Sequence, residues 1–492
     1  MPNTPQPTEP TQEIGFALSV RGFLIQADGL PTVKINDLVA TDKGARGWIN
    51  GLLDDRVQIL MLDESVVEPR TMFKKTGVGL NISLGPSLLG RVISPIGTPL
   101  DGKSLIKATP EDRVTTIELE QVARGIDQRE EILEQFDCGI SLVDTLIPLG
   151  KGQRELVIGD ARAGKTRFLV DLVTNQKGKG LIVIYALIGK PISAVRNLIN
   201  ILGTSAAMEH TIVVAASSND PPPLVFLAPH TAITIAEYFQ AQGRDVLVIL
   251  DDMGNHAKVH REISLLSNKF PGRESYPGDI FYQHAHLMER AGKFKKTSGG
   301  GSITLLPVIE IILNDFTTYI PNSLMSMTDG HLLFKSDLAS VGQFPAIDLS
   351  LSVSRVGRQT QNRIQNGVAY KLRQILSQAQ QYETLSQFSA ELPQETQIIL
   401  RQKELIEELI KQDPQTDIPK EVQTVLLALV FTNWLKFKDI SFVKANRNNL
   451  LKALTTDRSL KDLVSSALQM KTDDELIAKL ETMTTLIQKY CV

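Results

Sequence analysis

One octapeptide constrains this chain more than anything else in it: Gly159-Asp-Ala-Arg-Ala-Gly164-Lys165-Thr166 satisfies G-x-x-x-x-G-K-T in full. The apolar stretch Leu156–Ile158 precedes it, and Phe168, Leu169 and Leu172 follow at a spacing that predicts a helix. Strand, glycine turn and helix in that order make a phosphate-binding loop. The backbone N–H groups of Gly159, Asp160, Ala161, Arg162, Ala163 and Gly164 can curl around the anion, and the helix N-terminus adds its positive end. Lys165 is expected to neutralise the outer phosphates, and the Thr166 hydroxyl to ligate magnesium. An ordinary strand-to-helix turn is the plain alternative, and motif plus context weigh against it.

A second element fits the first. Val246–Leu250 reads as a buried strand that ends in Asp251-Asp252, which is how a carboxylate is presented to magnesium, directly or through water. Asp251 is the expected metal residue, while Asp252 serves equally well as a residue that opens a loop. ATPases of this class commonly set a carboxylate on the strand beside the phosphate loop to orient the attacking water. Here the strand Leu181–Ile188 ends in Gly189-Lys190. An ammonium has three donors and no acceptor, so Lys190 cannot take the water's proton. The expectation is a site that binds ATP or ADP and turns it over poorly.

The rest of the chain divides into regimes. A Pro-, Thr- and Gln-rich tail, residues 1–13, has no apolar core and is unlike a signal peptide. Over 14–106 short strands are predicted: Val33 and Ile35 alternate with Lys34 and Asn36, and Val57, Ile59 and Met61 alternate around Gln58. Asp28-Gly29 and Asp101-Gly102 mark turns, and the whole suggests a β-barrel. Over 107–368 the buried-strand runs Leu156–Ile158, Leu181–Ile188, Thr211–Ala215 and Val246–Leu250 point to a parallel sheet in a RecA-like α/β P-loop domain. Over 369–492 apolar residues such as Ile398, Ile399, Leu405, Ile406, Leu409 and Ile410 fall at helical spacing, as in a C-terminal α-helical bundle. A multidomain chain suits the 492 residues.

Composition excludes several classes. A net charge of -3 shows no basic excess, so no nucleic-acid partner is expected. Two separated cysteines, Cys138 and Cys491, make neither a disulfide framework nor a metal-ligand pattern. The longest apolar runs, Leu181–Ile188 and Val425–Phe431, fall far short of the roughly 20 residues that span a bilayer. Any membrane association is expected through partners.

Beyond the phosphate loop the chain resembles the alpha subunits of F-type ATP synthases. The stretches that carry the resemblance are Leu88-Leu-Gly-Arg-Val92, Pro99-Leu-Asp-Gly102, Leu146-Ile-Pro-Leu-Gly-Lys-Gly-Gln-Arg154, Ala236-Glu-Tyr-Phe239 and Pro271-Gly-Arg-Glu-Ser-Tyr-Pro-Gly-Asp279. Gly299-Gly-Gly-Ser-Ile, Leu306-Pro-Val-Ile-Glu310, Tyr319-Ile-Pro321 and Leu351-Ser-Val-Ser-Arg-Val-Gly357 complete the set. The resemblance implies a hexameric ring of alternating alpha and beta subunits around a central-stalk subunit, with catalytic sites mostly on beta. It implies rotary ATP synthesis or hydrolysis coupled to ion transport, and a peripheral place on the cytoplasmic face of the cell membrane, held through the membrane sector. It assigns Arg355 as the arginine reaching a neighbour's transferring phosphate and Ser352 as a position needed for activity. It places Gln412 and Gln415 in a loop that touches the base.

There are departures. Ala161-Arg162 stands for the family's usual arginine-glutamine, Lys190 for glutamine, and Phe344-Pro345 for arginine-proline near the adenine pocket. Ala339 replaces an aromatic, and Lys411-Gln-Asp-Pro-Gln415 carries an extra residue. The short tail differs from the longer segment that binds the peripheral stalk, which leaves that attachment open. Three rivals stay in view. A self-hydrolysing export ATPase would need a carboxylate where Lys190 stands. An RNA-tracking Rho-like hexamer would need basic and aromatic residues interleaved in the barrel, and Phe16, Phe23, Trp48 and Phe73 are scattered. An assembly protein that has lost nucleotide altogether would not need an intact loop or Asp251.

Overall fold

The computed structural model describes residues 13–105, 114–313, 315–386 and 393–491. The expected tail, apart from its last residue, and the start of the expected nucleotide-binding domain lie outside them. The described residues form a closed six-stranded barrel, an α/β nucleotide-binding region and a C-terminal helical region. They fall into two compact units, one of residues 1–129, 180–310 and 316–327, the other of 130–179, 311–315 and 328–492.

In the first unit the barrel is built from β1 (Ile14–Arg21), β2 (Leu24–Asp28), β3 (Asp37–Thr41), β4 (Arg46–Leu52), β5 (Val57–Met61) and β6 (Met72–Gly79). The order is β1-β2-β5-β4-β3-β6, with β6 pairing back onto β1. Closure leaves no strand edge open to another chain. Ala17, Ile25, Ala27, Val39, Ile49, Ile59 and Phe73 fill the interior. The predicted strand through Val33 and Ile35 is not there. Lys34 N–H donates to the Asp37 carboxylate and Asn36 sits at φ 72°, so a local side-chain-to-backbone bond makes a turn instead. Val33 still reaches the core, whereas Ile35 is exposed.

The same unit holds five parallel strands in the order Ser302–Ile311, Asp245–Asp251, Ile182–Lys190, Thr211–Ser217 and Val92–Ile93. Helices Pro222–Gln240 and Met253–Leu266 pack beside them. Strands of such sheets are buried on both faces, which is why they read as unbroken apolar runs rather than alternating ones. Register sets Leu187 beside Asp251, so Lys190 and Asp251 emerge at the carboxyl ends of adjacent strands. In open α/β sheets that end is where ligands bind.

In the second unit Glu155–Asp160 pairs in parallel with Gly330–Phe334, which pairs antiparallel with Val353–Ser354. Helix Lys165–Thr174 follows the first of these strands. The predicted bundle is present as helices Arg363–Ser386, Gln394–Leu409, Lys420–Ala428, Ile440–Thr456, Arg458–Ala467 and Asp473–Gln488. Leu405, Ile406, Leu409, Leu426, Leu454, Leu463 and Leu480 are among its fully buried side chains. Among the described residues no helix is long and apolar enough to cross a membrane.

Candidate nucleotide-binding site

The phosphate loop lies wholly in the second unit. Its first glycine is required by a close approach: a Cβ on Gly159 would come within 2.3 Å of the Phe334 carbonyl oxygen on the paired strand. Gly164 caps helix Lys165–Thr174 at φ 94°, a left-handed conformation that side chains resist. Lys165 is buried and folds back on its own loop, its Nζ donating to the carbonyls of Gly159 at 2.7 Å and Asp160 at 2.5 Å. Ala161, Arg162 and Thr166 are exposed along the loop and first helical turn. This is a helix N-terminus with a glycine turn, able to take phosphate on backbone amides.

Beside the loop, Ile140, Arg167, Phe168, Asp171, Phe344, Pro345 and Gln412 line a narrow cleft, where a base would follow its phosphates. The Arg167 guanidinium lies 4.1 Å over the Phe344 ring and donates to the Gln412 carbonyl at 3.1 Å. The Gln412 side-chain amide is already engaged: it accepts from Ser141 N–H at 3.1 Å and donates to the Gly139 and Thr416 carbonyls, the former at 2.7 Å. Gln412 therefore fixes the wall of the cleft. Gln415 is exposed, and its backbone N–H is tied to Asp171 at 2.8 Å.

The acidic pair lies in the first unit, together with Lys190. Lys190 Nζ stands 2.7 Å from Asp251 Oδ1 and 3.6 Å from Asp252 Oδ2. The other oxygen of Asp251 accepts from the Tyr185 hydroxyl at 3.2 Å. Asp252 caps helix Met253–Leu266, its carboxylate accepting from Asn255 N–H at 2.9 Å. Asn255 in turn donates to the carbonyls of Ile188 and Gly189, and a Cβ on Gly189 would meet Asn255 and Val225 at 3.3 and 3.2 Å. The end of the strand that carries Lys190 is thus held from two sides.

Burial works against the Lys190 ammonium, but Asp251 and Asp252 outweigh it and raise its pKa above the usual lysine value. Burial pushes the Asp251 carboxyl up while the ammonium pulls it down. The ionic pair is the form that stands: an ammonium so enclosed needs its counter-charge. A magnesium ion on Asp251 does not fit this arrangement. A single and a double positive charge about 4 Å apart repel by on the order of 8 kcal/mol at an effective dielectric constant of about 20. Two carboxylates carrying one ammonium also keep only one net negative charge to offer the ion.

Arg355 and Ser352 lie in the second unit. Ser352 Oγ accepts from Leu333 N–H at 2.9 Å, pinning the segment to the strand Gly330–Phe334. Arg355 N–H donates to the Asp329 carbonyl at 2.9 Å, and Asp329 is clamped by the Arg154 fork at 2.7 and 3.0 Å. The Arg355 side chain is exposed, with one long bond of 3.4 Å to the Thr328 carbonyl. Its backbone is fixed and its charged end points outward.

Sequence reasoning missed Arg167, Asp171 and Tyr185. The first two stand one helical turn apart on the helix after the loop, and Tyr185 is the one polar side chain within the run Ile182–Ile188. Those patterns were available to it.

Residues 139–354 match the model of the ATP synthase alpha/beta family, nucleotide-binding domain, and residues 361–487 that of the ATP synthase alpha/beta chain, C terminal domain. The chain is 38% identical over 489 residues to the ATP synthase subunit alpha of Aquifex aeolicus (strain VF5), covering 99% of this chain and 96% of that one. It is 37% identical over 464 residues to the ATP synthase subunit alpha of Mycoplasmoides gallisepticum, covering 92% and 89%. It is 37% identical over 492 residues to the ATP synthase subunit alpha 1 of Mycoplasmopsis pulmonis, covering 97% and 92%.

Proposed function

From the premise that the chain belongs to the ATP synthase alpha/beta family, as one of its alpha subunits, we propose that it holds ATP or ADP on its own phosphate loop without turning it over and lends Arg355 to a neighbour's catalytic site. The observation that carries this reading is Lys190 on Asp251 at 2.7 Å. Where a water-orienting carboxylate is required the chain has a cation, and that cation is held in an ion pair rather than free to swing. It has no lone pair with which to accept a proton.

The proposed partner is a beta-type subunit, alternating with this chain in a six-membered ring about a central stalk. Arg355 would act there in trans. A guanidinium is planar and permanently charged, and its paired N–H groups match the oxygens on which charge gathers as a phosphoryl group transfers. Its anchoring through Asp329 and Arg154 supports that role, because an arginine that offsets transient charge must be in place beforehand. Ser352 is proposed as a positioning residue for the same segment. Membrane association, at the cytoplasmic face, and ion coupling would come through the other subunits.

The test is turnover. The purified chain alone should hydrolyse ATP negligibly, with activity appearing when a beta-type partner is added. Robust hydrolysis by the chain alone, abolished by Lys165→Ala, would overturn the proposal.

A further inference from the structure

We propose that the Arg167–Phe344 pair fills the cleft a base would take, so that the phosphate loop recognises a linear polyphosphate and binds inorganic tripolyphosphate nearly as tightly as ATP. The inference rests on the proposed reading of the loop as a nucleotide site and adds to it which part of the ligand that site recognises.

Loop and cleft belong to the same compact unit. The cleft is closed by its own side chains. The Arg167 guanidinium stands 4.1 Å over the Phe344 ring, and that ring lies against the last glycine of the loop, where a Cβ on Gly164 would meet it at 3.6 Å. The space left in the cleft is about 10 Å³, enough for one water and far too small for a purine. The pair is also fastened from behind. Arg167 donates to the Gln412 carbonyl at 3.1 Å, and the Phe344 carbonyl accepts from the Gln412 N–H at 3.0 Å, so both partners hang on one residue. Arg167 Nε lies 3.8 Å from Asp171 Oδ2, and the other oxygen of that carboxylate accepts from Gln415 N–H at 2.8 Å.

A base reaches this cleft only by parting the ring from the guanidinium. It then gives up one stacked contact to gain another on the same π face, and the exchange leaves little net affinity. The phosphates face a better exchange. The loop amides and the helix N-terminus point at them. The Lys165 ammonium trades the carbonyls of Gly159 and Asp160 for anionic oxygens, which attract it more strongly. Affinity is thereby concentrated at the phosphate end, which ATP and tripolyphosphate share.

The experiment is calorimetric titration of the full chain with ATP and, separately, with sodium tripolyphosphate in the same buffer. The expected result is two dissociation constants within about tenfold of each other, or roughly 1.4 kcal/mol. Arg167→Ser uncovers the Phe344 ring for a base, and the preference for ATP over tripolyphosphate should then rise by about another tenfold. Reading the ratio cancels any loss that the variant causes at the phosphates alike for both ligands, and Arg167→Gln serves if the serine variant does not fold. Tripolyphosphate binding more than about tenfold weaker than ATP to the unaltered chain, or a ratio unchanged in the variants, would overturn the inference and leave the nucleotide site standing. Absence of ATP binding, or ATP binding that survives Lys165→Ala, would overturn the nucleotide-site reading itself, and the inference with it.

Discussion

Phe344 and Arg167 are distant in sequence and 4.1 Å apart in space, stacked face to cation in the cleft beside the phosphate loop. A base entering that cleft meets a ring and a guanidinium, both of which stack on any base and select none. Discrimination between bases needs hydrogen-bonding groups at fixed places. The nearest amide, that of Gln412, is already bonded to Ser141, Gly139 and Thr416. ATP, GTP and CTP should therefore compete for the full chain within about tenfold of one another, or roughly 1.4 kcal/mol. A stronger preference for ATP in competition binding would mean that a selective adenine pocket survives. The phosphate side was legible beforehand because its contacts are local: eight successive residues carry the motif. On the base side the resemblance pointed to Phe344-Pro345 and to the loop with Gln412 and Gln415, whereas Ile140, Arg167 and Asp171, which complete the cleft, carry no short pattern that announces them.

Three helices of the first unit meet at histidines. Pro222–Gln240 brings Phe226 and His230, Met253–Leu266 brings His256 and His260, and Ile280–Glu289 brings His284. Phe226 stacks on His256 at 4.9 Å, and His256 Nδ1 lies 3.1 Å from His284 Nε2. Arg290 and Lys269 add positive charge around them, and Asp279 faces His260 at 3.4 Å. Burial pushes His230 and His284 down to about 3; the Arg290 guanidinium adds to this at His230, and neighbouring imidazoles add to it at both. Below about 6.5 the unfolded chain takes up protons that these folded imidazoles refuse. Their contribution to stability is complete above that pH and is lost as pH falls toward 3. The thermal midpoint of the full chain should drop across that window, and His284→Phe should flatten the drop. An unchanged slope in the variant would show that the cluster does not govern acid sensitivity. The parallel strands could be read beforehand from their unbroken apolar runs. The meeting of three helices at histidines could not, because spacing within one helix does not show which other helix it faces. The turn at Val33–Asn36 escaped for the opposite reason: a single Asp37 side chain overrode an alternation that looked regular.

For the whole molecule, the test of Arg355 is meaningful only in the proposed ring with a beta-type partner. Losing an arginine supplied in trans typically lowers phosphoryl-transfer rates by roughly 10³–10⁵. Arg355→Ala should slow hydrolysis by that order while assembly and nucleotide binding stay nearly unchanged, because among the described residues its side chain makes one long bond, to the Thr328 carbonyl. A mutant ring within a few-fold of the parent in steady-state ATPase rate would make Arg355 merely structural. Family matching separates residues 139–354 from 361–487 as two modules. Yet the base-side cleft crosses that seam, since Arg167 bonds to Gln412, Asp171 to Gln415, and Gly139 to Gln412. A fragment trimmed at the seam would keep every residue of the phosphate motif and lose one wall of its own binding cleft. What two family descriptions divide is, for anyone dissecting this protein by truncation, a single indivisible part.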